Sequence, residues 1–252
     1  DHLADLGVTH VQIMPMYDFA TSLYNWGYDP LNFNVPEEQY ASDGADYTAR
    51  IKEVKTMINE LHKKGIRVIM DVVYNHTFNE SPFNAITSRY YYTDERKDFA
   101  GCGVALNCSE PMVSRFIQDS MNYWVSEFHV DGFRMDLAGI FYYSCVNDWA
   151  DSLNQNNPGE NILVYGEPWD GYYYDDPTRY HPDAQHSLRV RMRTAPAMGN
   201  HHVGVFSGQF REYIKGDNDG TGKGYMFNGS DKDWKSWDAI PAGARGSITA
   251  VK

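Results

Sequence analysis

The sequence has few cysteines, few basic residues and no long apolar run. Its three cysteines are too few, and odd in number, for a disulfide framework, and none has the spacing to histidine that metal sites use. Cys102 and Cys108 could pair, but all three are interpreted as ordinary small residues. No apolar run reaches the ~18 residues that a membrane span needs. Lys and Arg number 22 against 34 Asp and Glu, which disfavours nucleic acid and anionic membranes as partners.

Aromatic residues are abundant by contrast, at 15% of the chain with 19 Tyr and 6 Trp. Many occur in polar, turn-rich stretches such as "YNWGYDP" (24–30), "RYYYTD" (89–94) and "DGYYYDDPTRY" (170–180). Half-exposed rings in loops favour flat ligands such as sugars. The alternative is that Tyr simply tolerates the boundary between protein and water.

Apolar segments alternate with segments of helical periodicity. The predicted strands are one within 9–19 that Pro15 ends, 67–75, 131–137 and 162–167, and a short strand is expected to run into a helix over 204–216. The predicted helices are 46–64, 110–128 and 143–155, and the predicted long loops or mixed segments are 24–44, 78–109 and 168–200. This alternation predicts parallel strands, either in a doubly wound sheet or in a (β/α)₈ barrel.

Two features favour the barrel. No glycine-rich phosphate loop follows the first strand, which weakens a nucleotide-binding interpretation. Unusual charged residues lie towards the carboxyl ends of the strands, where a barrel builds its active site. The chain begins without Met on what reads as the end of a helix, and it stops without a clear closing element. We therefore expect residues 1–252 to be part of one catalytic domain, holding about strands 2 to 6.

Three predicted strands each carry an acid. Asp71 lies within "RVIMDVVYNH" (67–76), Asp136 within "HVDGFRMDLAGI" (129–140) and Glu167 near the end of "NILVYGEPWD" (161–170). Arg134 is two residues before Asp136 and therefore shares a strand face with it. Buried ions cost several kcal/mol unless they are paired, so three acids and one arginine point to a shared site.

Two carboxylates facing one cleft suit glycoside hydrolysis. Arg134 is expected to keep Asp136 ionised as the nucleophile, with Asp71 as the structural charge partner of Arg134. Glu167 ends an apolar strand beside Trp169, a setting that raises the pKa of a carboxyl group and suits a general acid. His76 could donate to a sugar hydroxyl, or could make a structural hydrogen bond instead.

The motifs "DVVYNH" (71–76), "DGFRMDLA" (131–138) and "GEPW" (166–169) resemble, in this order and spacing, the first three active-site regions of the α-amylase family of glycosidases. Within that family, "YNWGYDP" followed by "NVPEEQYA" is similar to type I pullulanases, and "GCGVALNCSEPMV" (101–113) is similar to debranching enzymes more broadly. The resemblance implies a (β/α)₈ TIM barrel and a retaining mechanism.

The resemblance also implies roles by position. Asp136 is the expected nucleophile and Glu167 the acid/base; Tyr28 is expected to stack on the bound sugar, with His76 and Arg134 nearby. Asn25 and Trp26 are expected beside the cleft as branch-selecting residues, and Trp169 is a further expected substrate contact. The family's third carboxylate, in a His-Asp pair, has no counterpart after Glu167. Residues 1–252 alone are therefore expected to be inactive and poorly stable.

The function predicted from the sequence is hydrolysis of α-1,6 branch linkages in pullulan, starch or glycogen-type α-glucans. The alternatives are an isoamylase, an α-1,4 amylase, a branching transferase or an inactive glucan-binding homologue. No cofactor is expected to be required; calcium is possible without an identifiable site. The expected partner is an α-glucan, with no nucleic acid and no membrane span, and an extracellular or cell-surface location is favoured because the substrate is a polymer.

Overall fold

The computed structural model describes residues 1–20, 26–93, 105–169 and 188–216; Asn25 and Cys102 lie outside these ranges. The described strands are β1 His10–Ile13, β2 Tyr17–Phe19, β3 Pro30–Pro36, β4 Arg67–Val72, β5 Gly132–Met135, β6 Leu163–Gly166 and β7 Val203–Val205. The described helices are α1 His2–Asp5, α2 Ala49–Lys63, α3 Ser81–Ile86, α4 Pro111–Phe128, α5 Tyr143–Asn156 and α6 Gly208–Ile214. None of these helices is long and apolar enough to cross a membrane.

Five of the strands form a parallel sheet in the order β1-β4-β5-β6-β7. Each strand lies beside the one before it in the chain, except that the β2–β3 pair forms a separate sheet. A doubly wound sheet reverses its strand order at a switch point, and this sheet has no reversal among the described residues. The order is therefore that of consecutive barrel strands, and the predicted α/β architecture is confirmed.

Side chains from non-neighbouring strands meet over one face of this sheet. The Tyr165 hydroxyl on β6 donates to Gln12 Oε1 on β1 at 2.6 Å, although β4 and β5 lie between the two strands. A flat sheet would hold those two backbones about 14 Å apart. The contact indicates that the sheet curls towards this face, as a barrel wall does.

The core lies on both faces of the central strands. In β4 the residues from Val68 to Val72 are all buried, although successive side chains point to opposite faces. This double burial is typical of a parallel strand covered by helices, and it explains the solid apolar run in the sequence. Helix α4 contributes the fully buried ring of Trp124, whose Nε1 donates to the Phe33 carbonyl at 2.8 Å.

The boundaries of α4 follow its sequence. Pro111 occupies the first turn, where its missing N–H breaks no helical hydrogen bond. His129 ends the helix in a left-handed conformation with φ of 58°. Three residues further on, β5 begins its buried run. Asp131 lies between them and accepts from the Val68 backbone N–H at 2.7 Å, while its Oδ2 lies 2.7 Å from His62 Nε2 on α2.

The strand predicted within 9–19 ends before Pro15 as expected, but the loop predicted over 24–44 is wrong because it contains β3. Residues 14–16 separate β1 from β2, and β2 pairs antiparallel with β3. Prolines at both ends of β3 and asparagines within it lower its strand propensity. Tertiary packing overrides that propensity, since the Phe33 ring lies 5.5 Å from Tyr17 and 5.4 Å from Tyr74. The short helix α3 was similarly hidden within the loop predicted over 78–109.

Candidate active site

A row of polar side chains crosses the sheet near the carboxyl ends of its strands. Asp71 on β4 is aligned with Arg134 on β5, and Arg134 is aligned with Tyr165 on β6. Parallel pairing brings aligned residues to the same height, so this register makes the polar row. Asp136 and Glu167 directly follow β5 and β6, and each lies two residues beyond the member of the row on its strand.

Arg134 joins all three acids. Its Nη1 lies 2.8 Å from Asp71 Oδ1 and 3.0 Å from Asp136 Oδ1, while its Nη2 lies 2.5 Å from Glu167 Oε1. The Arg134 side chain is only 9% exposed, so these ion pairs are shielded from water. One buried cation therefore positions three carboxylates. Glu167, expected from the sequence to end an apolar strand beside Trp169, therefore has a charged neighbour as well.

Asp136 is held from two sides. Its second oxygen accepts from Asn75 Nδ2 at 2.9 Å, and the same amide nitrogen reaches the Asp136 backbone carbonyl at 3.0 Å. Its backbone N–H donates to the Val72 carbonyl at 2.9 Å, which continues the β4–β5 ladder. These contacts leave the carboxylate little rotational freedom. Asn75 was not singled out from the sequence, although it directly precedes His76 in the first motif.

Glu167 is anchored by backbone as well as by Arg134. Its Oε2 accepts from the Leu137 N–H at 3.0 Å, and Leu137 takes up a left-handed conformation with φ of 41° to present that group. Gly139 donates to the carbonyls of Glu167 and Trp169. A side chain at Gly139 would collide with the Trp169 backbone, so only glycine permits this approach.

Burial raises the pKa of Glu167, against the opposing effects of Arg134 and of the Leu137 N–H. Burial also raises the pKa of Asp71, which Arg134 and the hydroxyl of Tyr28 oppose. Both groups therefore hold protons more tightly than ordinary surface carboxyls. For a residue that must deliver a proton near neutral pH, the shift at Glu167 has the useful sign.

Tyr28 contacts the cluster through Asp71. Its hydroxyl donates to Asp71 Oδ2 at 2.9 Å, and its ring is half-buried against the core. Gln12 Nε2 lies 3.4 Å from the same oxygen. Asp71 thus receives hydrogen bonds from three side chains, which offset its burial. Gln12 and Tyr165 were missed from the sequence because single polar residues in short strands carry no distinctive signal.

Two further predicted contacts, Trp26 and His76, differ in their exposure. Trp26 is 57% exposed and follows the undescribed residue Asn25. The imidazole of His76 is buried, with Nδ1 beside Asn75 Oδ1 and Nε2 3.7 Å from Asp29 Oδ1. The structure thus places His76 behind the residue that holds Asp136.

An aromatic cavity of about 420 Å³ opens beside Glu167. Trp169 stacks on Phe206 with ring centroids 6.3 Å apart, and the Arg211 guanidinium lies 5.6 Å from the Trp169 ring centroid. Arg134 in turn lies 5.7 Å from the Phe206 centroid, so the wall of the cavity contacts the charge cluster. Across the described part of the chain, no three His, Cys, Asp or Glu side chains are grouped to hold a metal ion.

Comparison with known sequences gives a consistent result. The family model of the alpha amylase catalytic domain matches residues 1–102 and 82–242. Pullulanase from Bacillus subtilis (strain 168) is 36% identical over 229 residues, which are 86% of this chain and 30% of that protein. Isoamylase 3, chloroplastic, from Oryza sativa subsp. japonica is 38% identical over 202 residues, which are 67% of this chain and 26% of that protein.

Solved structures agree with these sequences. The type I pullulanase of B. subtilis str. 168, complexed with maltose, matches with a TM-score of 0.78 and 36% identity over 88% of this chain and 32% of its own. A pullulanase from Anoxybacillus sp. LM18-11, complexed with maltotriose, matches with a TM-score of 0.82 and 33% identity over 98% of this chain and 35% of its own. The chain therefore spans about a third or less of the length of these relatives.

Proposed function

The chain belongs to the family of the alpha amylase catalytic domain, and from this membership we propose that it carries the catalytic carboxylates of a debranching α-glucan hydrolase. The proposed reaction is hydrolysis of α-1,6 branch linkages with retention of configuration. The observation that carries the proposal is the single guanidinium of Arg134, which holds the carboxylates of Asp136 and Glu167 together at the carboxyl ends of adjacent strands. The named pullulanases and isoamylases among the relatives support a debranching substrate.

Asp136 is the proposed nucleophile. Arg134 and Asn75 place a donor on each of its oxygens, which fixes the orientation of the carboxylate. Attack on the anomeric carbon forms a covalent glycosyl-enzyme intermediate. Arg134 then stabilises the carboxylate again when the intermediate breaks down, because its guanidinium stays in place through both steps.

Glu167 is the proposed acid/base. Burial raises its pKa, so it can hold the proton that the leaving oxygen needs in the first step. After transfer, the ionised group is stabilised by Arg134 and by the Leu137 N–H, and it can accept a proton from the attacking water in the second step. The aromatic cavity beside Glu167 is the proposed position of the leaving sugar.

The proposed substrate is an α-glucan, supported by the related pullulanase structures, which are complexes with maltose and with maltotriose. We propose that three rings contact the bound sugars: the half-buried ring of Tyr28, the exposed ring of Trp26, and the ring of Trp169 beside Glu167. We propose an extracellular or cell-surface location because the substrate is polymeric.

The test compares Asp136→Asn with wild type in the complete protein that contains this chain. Asp119→Asn is the matched control, because Asp119 is exposed on the outer helix α4. Asp136→Asn is expected to lower kcat on pullulan by about 10⁴-fold or more while glucan binding persists, with the control unchanged. Proton NMR of the first product should show retention. If the Asp136→Asn variant kept a sizeable fraction of the wild-type rate, Asp136 could not be the nucleophile.

Two alternatives are separated by the same assays. The isoamylases among the relatives, with identities as high as those of the pullulanases, favour a debranching enzyme with a different branch preference. Hydrolysis rates measured side by side on pullulan and amylose distinguish a debranching enzyme from an α-1,4 amylase. A wild-type protein that binds maltodextrin without turning over either polymer would instead be a glucan-binding homologue.

A further inference from the structure

Two cysteines outside the candidate active site lie in contact. Cys108 is in the segment before α4, and Cys145 is in the first turn of α5, 37 residues later. The Cys145 Sγ lies 3.3 Å from the Cys108 carbonyl oxygen, and the two thiol groups also hydrogen-bond to each other. Cys108 is buried and Cys145 is partly exposed, and neither is in a disulfide.

The environment of the pair shifts the pKa values of the two thiols in opposite directions. The hydrogen bond from the Cys108 thiol lowers the pKa of Cys145, with help from the hydroxyls of Ser144 and Ser114, while burial and Asp148 oppose it. The first turn of a 14-residue helix adds a favourable dipole for a thiolate. The same hydrogen bond, together with burial, raises the pKa of Cys108.

We propose that Cys108 and Cys145 form a thiol–disulfide site that a low-molecular-weight disulfide oxidises. The Cys145 thiolate attacks one sulfur of the oxidant, whose S–S bond breaks and releases one thiolate. Cys108 then gives its proton to solvent or to the released thiolate, and its sulfur attacks Cys145 Sγ and expels the second thiol. Two protein thiols are oxidised to one disulfide, and one oxidant disulfide is reduced to two thiols.

The position of this site gives the cross-link a consequence. Leu106, two residues before Cys108, donates its N–H to the Asn75 carbonyl at 2.9 Å. Asn75 is the residue whose side chain holds Asp136. The disulfide would join the segment that contains Leu106 to helix α5, which follows Leu137, the residue whose N–H binds Glu167. This inference does not depend on the proposed glucan chemistry.

The test treats the reduced complete protein with oxidised glutathione, digests it without reduction and maps the disulfides by mass spectrometry. The expected main product in wild type is the peptide pair Cys108–Cys145. Cys102→Ser is the matched control and should give the same pair. Cys108→Ser should stop at a glutathione adduct on Cys145, and Cys145→Ser should give neither product. Circular dichroism checks that each variant is folded.

A second measurement follows alkylation of the native protein by iodoacetamide. Cys145 is expected to react several-fold faster than Cys108 at pH 7. The proposal is overturned if wild-type Cys145 stays a free thiol through the glutathione treatment, or if the main disulfide joins Cys102 to Cys108 or to Cys145. It is likewise overturned if Cys108 is the faster of the two to react.

Discussion

Replacing Arg134 with Met is expected to destabilise the protein, and to do so more at neutral pH than at acid pH. The guanidinium contacts Asp71, Asp136 and Glu167 at 2.8, 3.0 and 2.5 Å, and its side chain is almost fully enclosed. Met fills a similar volume, so little of the effect should come from a cavity. What the substitution removes is the one cation that these three acids share.

The magnitude follows from burial. Removing one partner of a buried ion pair costs about 3–5 kcal/mol, because the remaining charge is left uncompensated. Burial already raises the pKa of Asp71 and of Glu167, and Arg134 opposes both shifts. Without Arg134 both pKa values rise further above those of the unfolded chain. The folded variant then binds more protons than the unfolded one, so its stability falls as pH rises above about 4.

Urea unfolding at pH 4.5 and pH 7.5 measures this directly. The loss in free energy of unfolding, relative to wild type at the same pH, should be about 3–5 kcal/mol at pH 7.5 and clearly smaller at pH 4.5. Arg115→Met is the control, because the exposed Arg115–Asp119 pair should contribute under about 1 kcal/mol at either pH. Equal losses at the two pH values would refute the electrostatic reasoning and leave packing as the cause.

Three further results are expected. Glu167→Gln should remove most activity on glucan yet spare the first step with activated aryl glycosides, whose leaving groups need no proton; equal loss on both substrates would contradict the acid role. Tyr28→Phe removes a hydrogen-bond donor to Asp71 and should lower the free energy of unfolding in urea by about 1.5–3 kcal/mol at pH 7. The loss should shrink at acid pH, because without this donor the pKa of Asp71 rises further and the group becomes protonated. Asp131→Ala deletes the acceptor of the Val68 N–H and of His62 and should cost about 1–3 kcal/mol without changing kcat; a changed kcat at unchanged stability would count against a purely structural role.

The acid-bearing strands could be predicted because a carboxyl group inside an apolar, β-branched run stands out in a linear sequence. Alternation along a strand is a local property, so it places Arg134 and Asp136 on one face, whereas Asp71 was grouped with them because a buried arginine needs acidic partners. The contact between Arg134 and Glu167 could not be predicted in the same way. It depends on the register between two strands that are far apart in the chain, and backbone pairing sets that register.

The residues that were missed share this dependence on tertiary structure. Phe33 holds β3 in place by packing against rings from other segments, which outweighs the prolines and asparagines around it. Asn75 becomes significant only when β5 brings Asp136 beside it. Cys108 and Cys145 were interpreted as ordinary small residues because their spacing carries no motif, and only the docking of α5 brings them together.

The order of the parallel strands also bears on how the chain assembles during synthesis. Each of β4, β5, β6 and β7 pairs with the parallel strand that was synthesised just before it. A ribosome delivers about 5–20 residues per second, whereas local strand and helix docking takes far less time. Each strand that emerges can therefore pair with a neighbour that is already folded, and the sheet can grow in one direction, strand by strand. The growing edge is exposed only until the next βα unit arrives, which limits the interval in which two nascent chains could pair through it.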